Sequence, residues 1–126
     1  MGFLRDITDN DSEIDIQKVQ NEFAKILVAN EQVEKAYKLN HDLFIFTNHR
    51  LILVDKQGVT VKTLVYHSIP FRNITHFSIE TAGHFDLEAE LKIWVSGDAN
   101  PITKQFDESL DVYELQSVLA EYVFQP

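Results

Sequence analysis

The chain has 126 residues, a length that suits one domain, and it contains no cysteine. Disulfides, thiolate metal sites and cysteine nucleophiles are therefore excluded. Eleven basic and twenty acidic side chains give a formal charge of −9, which disfavours nucleic acid and anionic lipid as partners. Apolar residues make up 44% of the chain, a fraction typical of a globular protein.

The acidic excess lies at the two ends of the chain. Residues 1–15 hold five acidic side chains and one basic one, residues 107–126 hold five acidic and no basic ones, and residues 16–106 are neutral. No apolar run is longer than four residues, which predicts no transmembrane helix. Because the N-terminus also lacks the pattern of a secretory signal, we expect a cytoplasmic protein for which a membrane is a poor partner.

The first predicted element is an amphipathic helix. Ser12 to Asp15 resembles a capping box, and apolar residues then recur at spacings of three and four over about sixteen residues. The members of this apolar stripe are Ile16, Val19, Phe23, Ile26 and Leu27. We therefore divide the chain into an N-terminal acidic segment with its helix, residues 1–30, and a domain that spans residues 31–126.

The pattern changes to short alternating segments after residue 31, and these predict seven strands. The predicted strands are 32–39, 42–47, 49–55, 59–67, 74–81, 87–96 and 102–106. Pro70 is expected to end the fourth strand early, since proline cannot donate to a strand ladder. Turn-length links between consecutive strands indicate antiparallel pairing in a barrel or a sandwich.

The last predicted element is a second helix, capped by Asp107 or Ser109. Its apolar stripe consists of Leu115, Val118, Leu119 and Tyr122. A single helix after seven strands is placed to cover an open end of a barrel.

Four ordered blocks of the sequence resemble the small, single-domain type of bacterial pleckstrin-homology protein. The blocks are 46–58 (FTNHRLILVDKQG), 68–74 (SIPFRNI), 77–86 (FSIETAGHFD) and 90–94 (ELKIW). The resemblance covers residues 31–123. It implies a mainly β fold, a PH-like split barrel of two near-orthogonal antiparallel sheets with seven strands and a C-terminal capping helix. It also implies ring-like homo-oligomers, and it implies no established ligand.

Two predicted strands are apolar on both faces, which points to a covered outer surface. In 43–46 and 51–54 every residue is apolar, whereas a sheet with one solvated face should alternate. The cover is either the N-terminal helix or a neighbouring subunit. Trp94, on an otherwise polar strand face, is a second indication of an interface. The candidate interface residues are Phe23, Phe44, Phe46 and Trp94.

Basic residues offer an alternative function, binding of an anionic lipid or a phosphate-bearing ligand. The candidates are Lys35, Lys38, Arg50 and Lys62. A phosphate group needs several convergent donors in a positive field. The predicted first loop, 39–42, is short and ends in an acid, which disfavours such a site.

The sequence contains no pattern typical of a metal site, a phosphate-binding loop or a catalytic centre. The five histidines are scattered, the glycines are isolated, and neither Ser68 nor Ser78 has the context of a nucleophile. We therefore expect no metal, no cofactor, no catalytic residue and no enzymatic activity. The predicted function is a non-enzymatic scaffold or adaptor that recognises protein, first of all copies of itself and secondarily another protein.

Overall fold

The computed structural model describes residues 15–39, 42–57, 63–81, 88–107 and 111–125. Within these ranges two helices, α1 (Ile16–Glu22) and α2 (Val112–Val123), flank seven strands, and a short 3₁₀ turn spans Phe71–Asn73. The strands are β1 (Val33–Leu39), β2 (Asp42–Thr47), β3 (Arg50–Gln57), β4 (Thr63–Pro70), β5 (Ile74–Thr81), β6 (Glu88–Val95) and β7 (Ile102–Asp107). The predicted order of helix, seven strands and helix is therefore confirmed.

The strands form two antiparallel sheets, as the short links between them require. The first sheet has the order β1-β2-β3-β4 and the second the order β5-β6-β7. In the first sheet Phe44 pairs with Leu53, and in the second Ile79 pairs with Leu91. Bulges interrupt the register between Val33 and Lys35 in β1 and between Ile74 and His76 in β5.

The inner faces of the two sheets and α2 enclose the larger of two apolar cores. Its buried members are Tyr37, Phe44, Phe46, Leu51, Leu53, Ile69, Ile74, Ala89, Leu91, Ile93, Phe106, Leu115, Val118 and Leu119. The apolar stripe predicted for the second helix is confirmed by Leu115, Val118 and Leu119. Tyr122 of that helix packs on Phe46 and Phe71, with ring centroids 5.3 and 4.8 Å away.

The smaller core lies on the opposite face of the first sheet, under α1. Val19 and Phe23 pack there against β1, β2 and β3, whose contributing residues are Val33, Ala36, Leu43, Ile45, Ile52 and Val54. The strands 43–46 and 51–54 are thus apolar on both faces because each face meets its own core. Of the two covers that the sequence left open, this structure shows the helix of the same chain.

The predicted helix caps were wrong, because each helix begins later than expected. The Asp15 carboxylate accepts hydrogen bonds from the N–H groups of Gln17 and Lys18 and is the N-cap of α1; Ser12 lies outside the described residues. The Asp111 carboxylate likewise caps α2, accepting from the N–H groups of Tyr113 and Glu114. Asp107 cannot serve as a cap because it is the last residue of β7, and Ser109 lies outside the described residues.

Helix α1 is also shorter than predicted, at seven residues. The chain continues from Phe23 in turns, with the N–H of Ile26 donating to the Phe23 carbonyl at 3.0 Å. The carbonyl of Ile26 accepts from Arg50 Nη2 at 2.6 Å, and this bond fixes the turn on the first sheet. Ile26 and Leu27 therefore reach the smaller core from a turn and not from a helix.

Pro70 does not end the fourth strand early, and that prediction was wrong. Strand β4 continues through Ser68, which pairs with Ile52, and Ile69, which pairs with Leu51, to Pro70 itself. Proline is tolerated here because it is the last residue of a strand at the edge of the sheet, where no further ladder bond is needed.

Candidate functional site

Arg50, a candidate ligand for phosphate, is engaged inside the protein. Its Nε and Nη2 atoms donate to the two carboxylate oxygens of Glu31 at 2.8 and 2.9 Å. Nη2 also donates to the Ile26 carbonyl, and Nη1 donates to Ser68 Oγ at 2.9 Å. All three nitrogen atoms of the guanidinium donate to groups of the same chain, so Arg50 has a structural role. The proposed role of Arg50 as a phosphate ligand is not supported.

Glu31 is buried, with 4% of its surface exposed. The Thr47 hydroxyl donates to Oε2 of Glu31 at 2.6 Å, and the Val28 N–H donates to Oε1 at 3.0 Å. Burial by itself would raise the pKa of Glu31, but the hydrogen bonds from Arg50, Thr47 and Val28 outweigh it and lower the pKa to about 2. The carboxylate is therefore a charged anchor inside the fold.

The β2–β3 turn is bonded to the segment before β1 at two further points. Asn48 Oδ1 accepts from the Gln32 N–H at 2.8 Å, and Asn48 Nδ2 donates to the Asn30 carbonyl at 3.0 Å. Thr47, Asn48 and Arg50 all belong to the first block of family resemblance. Their contacts show the structural role of this block, since its residues bind the β2–β3 turn to the segment before β1.

The other candidate cations do not converge. Lys35 pairs with Phe46, and Lys38 pairs with Leu43. Since Phe46 belongs to the inner core and Leu43 to the outer one, the two lysines lie on opposite faces of β1. Lys62 lies outside the described residues. The described part of the chain therefore brings no two of these four residues into one phosphate site.

Three of the four candidate interface residues are buried within the chain. Phe44 and Phe46 have no exposed surface, and Phe23 is 4% exposed beneath Tyr66, with ring centroids 5.9 Å apart. Phe44 and Phe46 therefore have no surface with which to touch a partner. Trp94 differs, because it lies half-buried on the outer face of the second sheet.

Strand β4 is the most exposed apolar edge in the described part of the chain. It is the last strand of its sheet, and only β3 is hydrogen-bonded to it. Val65 and Tyr66 are 38% and 46% exposed, on opposite faces of the strand. Of the seven described strands, β4 is also the one without a charged residue. The predicted strand 59–67 includes Lys62, so the charge-free edge appears only with the strand bounds that the structure shows.

A cavity of about 320 Å³ lies on the outer face of the second sheet. It is lined by Ser78, Ile79, Glu80, Glu90, Lys92 and Trp94. The Trp94 indole stacks on His76 of the neighbouring strand, with ring centroids 4.3 Å apart and planes 15° from parallel. We call this surface the Trp94 cavity.

The two sheets are joined by a small charged cluster. Lys104 of β7 lies between Asp42 of β2 and Asp55 of β3, with its Nζ 3.2 Å from one carboxylate and 3.1 Å from the other. Burial, followed by the Asp55 carboxylate beside it, raises the pKa of Asp42, and Lys104 opposes the shift. All three side chains are occupied in closing the barrel. Among the described residues no group of three metal-ligating side chains is assembled.

Two antiparallel sheets of four and three strands, with a C-terminal helix packed against the core between them, define a PH-like domain. A family model for the bacterial PH domain matches residues 2–123, so the chain belongs to the bacterial PH domain family. The predicted family and the predicted PH-like fold are both confirmed. The match begins near the N-terminus, so the family model includes the segment that contains α1.

The chain is similar to uncharacterized proteins of Bacillus subtilis and to proteins of Shewanella with solved crystal structures. It is 50% identical to uncharacterized protein YjqA of Bacillus subtilis over 95% of this chain and 97% of YjqA. The pleckstrin homology domain from Shewanella amazonensis has a TM-score of 0.82 and 49% identity, covering 88% of this chain and all of that one. A DUF1696 family protein from Shewanella loihica has a TM-score of 0.78 and 45% identity, with 90% and 97% covered.

Neither helix in the described ranges is both long enough and apolar enough to cross a bilayer.

Proposed function

We propose that the protein is a non-enzymatic PH-like interaction module that associates with copies of itself through β4 and acts as a scaffold or adaptor. The observation that carries this proposal is the exposed, charge-free edge of β4. Natural proteins protect such edges with charged side chains or with a covering element, because an unprotected edge pairs with other strands. The one protective residue in β4 is Pro70, which lies at its end.

The side chains of β4 suit an intermolecular contact on both faces. Residues 65–68 are all exposed, and they carry an aliphatic, an aromatic, an imidazole and a hydroxyl side chain in turn. Tyr66 is held by its edge-to-face contact with Phe23, so the ring is oriented before a partner arrives. A partner strand would gain ladder hydrogen bonds from the backbone and apolar contacts from Val65 and Tyr66.

The geometry of the contact decides the form of the oligomer. If β4 pairs with β4 of a second copy, the contact is isologous and gives a dimer. If β4 meets a different surface of the next copy, the contact is heterologous and closes into a ring when the rotation permits. The ring implied by the family resemblance corresponds to the second arrangement, which we propose for this chain.

Sedimentation velocity of the wild type and two variants tests this function. Val65→Lys places a charge on the exposed edge, and Ser117→Lys places the same charge on the exposed face of α2 as a matched control. We expect the wild type and Ser117→Lys to sediment as oligomers and Val65→Lys to shift to the monomer. A wild type that is monomeric at micromolar concentration overturns the self-association, and an oligomer that is unaffected by Val65→Lys overturns the β4 contact.

A further inference from the structure

We propose that the Trp94 cavity binds an arginine side chain from a basic segment of a partner protein. The cavity lies on the second sheet, whereas β4 belongs to the first, so this inference does not depend on self-association through β4. The cavity is open to solvent on one side, and its volume of about 320 Å³ is at the lower end of the range for small-molecule pockets.

The charges that line the cavity call for a cation. Glu80 pairs directly with Glu90 across β5 and β6, so the two carboxylates share one face at neighbouring positions. Like charges in direct opposition destabilise a sheet unless a counter-charge lies nearby. Lys92 supplies a counter-charge to Glu90, with its Nζ 3.8 Å from the Glu90 carboxylate. No described residue forms an ion pair with Glu80. The lining therefore keeps a net charge of −1, which one added cation neutralises.

The aromatic wall makes arginine a better occupant than a simple ion. Trp94 stacks on His76, and the Thr75 hydroxyl donates to the Trp94 carbonyl at 3.2 Å. The hydrogen bond fixes the backbone of Trp94 and the stacking on His76 orients its indole before a ligand arrives, which lowers the entropic cost of binding. An arginine side chain packs its aliphatic stem on an aromatic ring and donates from its planar guanidinium to a carboxylate at two points, whereas a metal ion has no stem and an ammonium binds as a point charge.

The positions of the residues along β6 give the orientation of the ligand. Trp94 and Glu90 are four residues apart on one strand, so their Cα atoms are separated by about 13 Å. Both side chains nevertheless reach into the same cavity. An arginine that lies along the strand would place its aliphatic stem against Trp94 and its guanidinium between Glu80 and Glu90. Anionic groups such as phosphate are excluded from the same place by the two carboxylates.

The chain carries its own optical probe for this site, because Trp94 is its one tryptophan. The experiment titrates the full chain with the peptide acetyl-Gly-Arg-Gly-amide and follows tryptophan emission. The matched ligand replaces arginine by citrulline, which has nearly the same shape and no charge. We expect a saturable change in emission with the arginine peptide and about fivefold weaker binding of the citrulline peptide, the upper limit of what one exposed ion pair supplies.

Two variants tie the response to the cavity. Glu80→Gln removes one charge from the lining with little change of shape, and Glu22→Gln does the same on the exposed face of α1. Glu80→Gln should weaken binding of the arginine peptide about fivefold, and Glu22→Gln should leave it unchanged. Thermal unfolding of both variants confirms that each one is folded.

Four results would overturn the proposal. The first is equal affinity for the arginine and citrulline peptides, and the second is an equal effect of Glu80→Gln and Glu22→Gln on the affinity for the arginine peptide. The third is that Mg²⁺ alone produces the emission change seen with the arginine peptide. The fourth is that tryptophan emission changes with protein concentration when no peptide is added. The last result would identify a second copy of the chain as the occupant. Repeating the titration with Val65→Lys separates the two proposals, because loss of self-association should leave binding of the arginine peptide intact.

Discussion

Glu31 and Arg50 form a two-point ion pair that fastens the segment before β1 to the first residue of β3. The Glu31 side chain has no exposed surface, and that of Arg50 is 22% exposed. Nη2 of Arg50 also donates to the Ile26 carbonyl. One guanidinium therefore links the turn that follows α1, the segment before β1 and the first sheet. A pair in this position stabilises the fold and offers no charge to a ligand.

Replacing Arg50 by lysine should destabilise the protein although the charge is kept. An ammonium cannot donate to both Glu31 oxygens and also to the Ile26 carbonyl in the fixed geometry of a guanidinium. We expect Arg50→Lys to lower the free energy of unfolding by about 2 kcal/mol, below the cost of removing one partner of a buried pair altogether. Urea denaturation measures this. Arg72→Lys, at an exposed position, should stay within about 0.5 kcal/mol of wild type, and an equal effect of the two changes would contradict the role of the pair.

Glu31 should make the stability of the protein sensitive to acid. Folding lowers the pKa of this carboxyl from 4.5 to about 2, so its stabilising contribution is complete above pH 4.5 and is lost as the pH falls towards 2. Folding raises the pKa of Asp42, so the contribution of Asp42 to stability changes with pH in the opposite direction. Each variant is therefore compared with wild type at the same pH. Unfolding of Glu31→Gln should depend less on pH than wild type below 4.5. Glu22→Gln should follow wild type, and parallel curves for Glu31→Gln and wild type would refute the assignment.

Removing the cation between Asp42 and Asp55 should loosen the junction of the two sheets. Lys104→Met keeps most of the side-chain volume but leaves the two carboxylates facing each other, so we expect a loss of about 1–2 kcal/mol at neutral pH. The loss should shrink in acid, where protonation relieves the repulsion. Lys25→Met is the control at an exposed position. A loss that is the same at pH 7 and in acid would show that repulsion is not its cause.

Introducing a charge at Phe23 should unfold the outer core. Phe23 is buried among Val19, the first sheet and the Tyr66 ring, so Phe23→Asp should cost about 3–5 kcal/mol. Tyr113→Asp places the same residue at a site that is 70% exposed and should have little effect. Thermal unfolding compares the two. If Phe23→Asp unfolds at the wild-type temperature, α1 does not pack on the sheet in solution.

The sequence predicted those features that depend on residues close together in the chain. Alternation and turn residues located all seven strands, and the spacing of Leu115, Val118 and Leu119 located the buried face of α2. The two strands that are apolar on both faces predicted a covered outer sheet. Periodicity carries this information because helices and strands present side chains with fixed repeats of their own.

The sequence could not show the surroundings of its candidate site residues, because contacts between distant residues decide them. Nothing local marks Glu31 as the partner of Arg50, which lies 19 residues further along the chain. Sequence reasoning therefore treated Arg50 as available to a ligand. It likewise grouped Lys35 with Lys38, whereas the register with β2 places them on opposite faces. A side-chain contact over 19 residues engages Arg50, and strand register separates Lys35 from Lys38, and neither is a local property of the sequence.

The formal charge of −9 describes the chain as a whole and not any one of its surfaces. By composition it disfavours nucleic acid and anionic lipid, and the sheet region of the sequence is balanced overall. The fold nevertheless brings Glu80 beside Glu90 on one surface and buries Glu31 against Arg50 on another. The sequence by itself determined the family, the elements and their polarity. Only the tertiary structure decided which charges are neutralised inside the protein and which lie together on its surface, because that depends on side chains that folding brings together from separate parts of the chain.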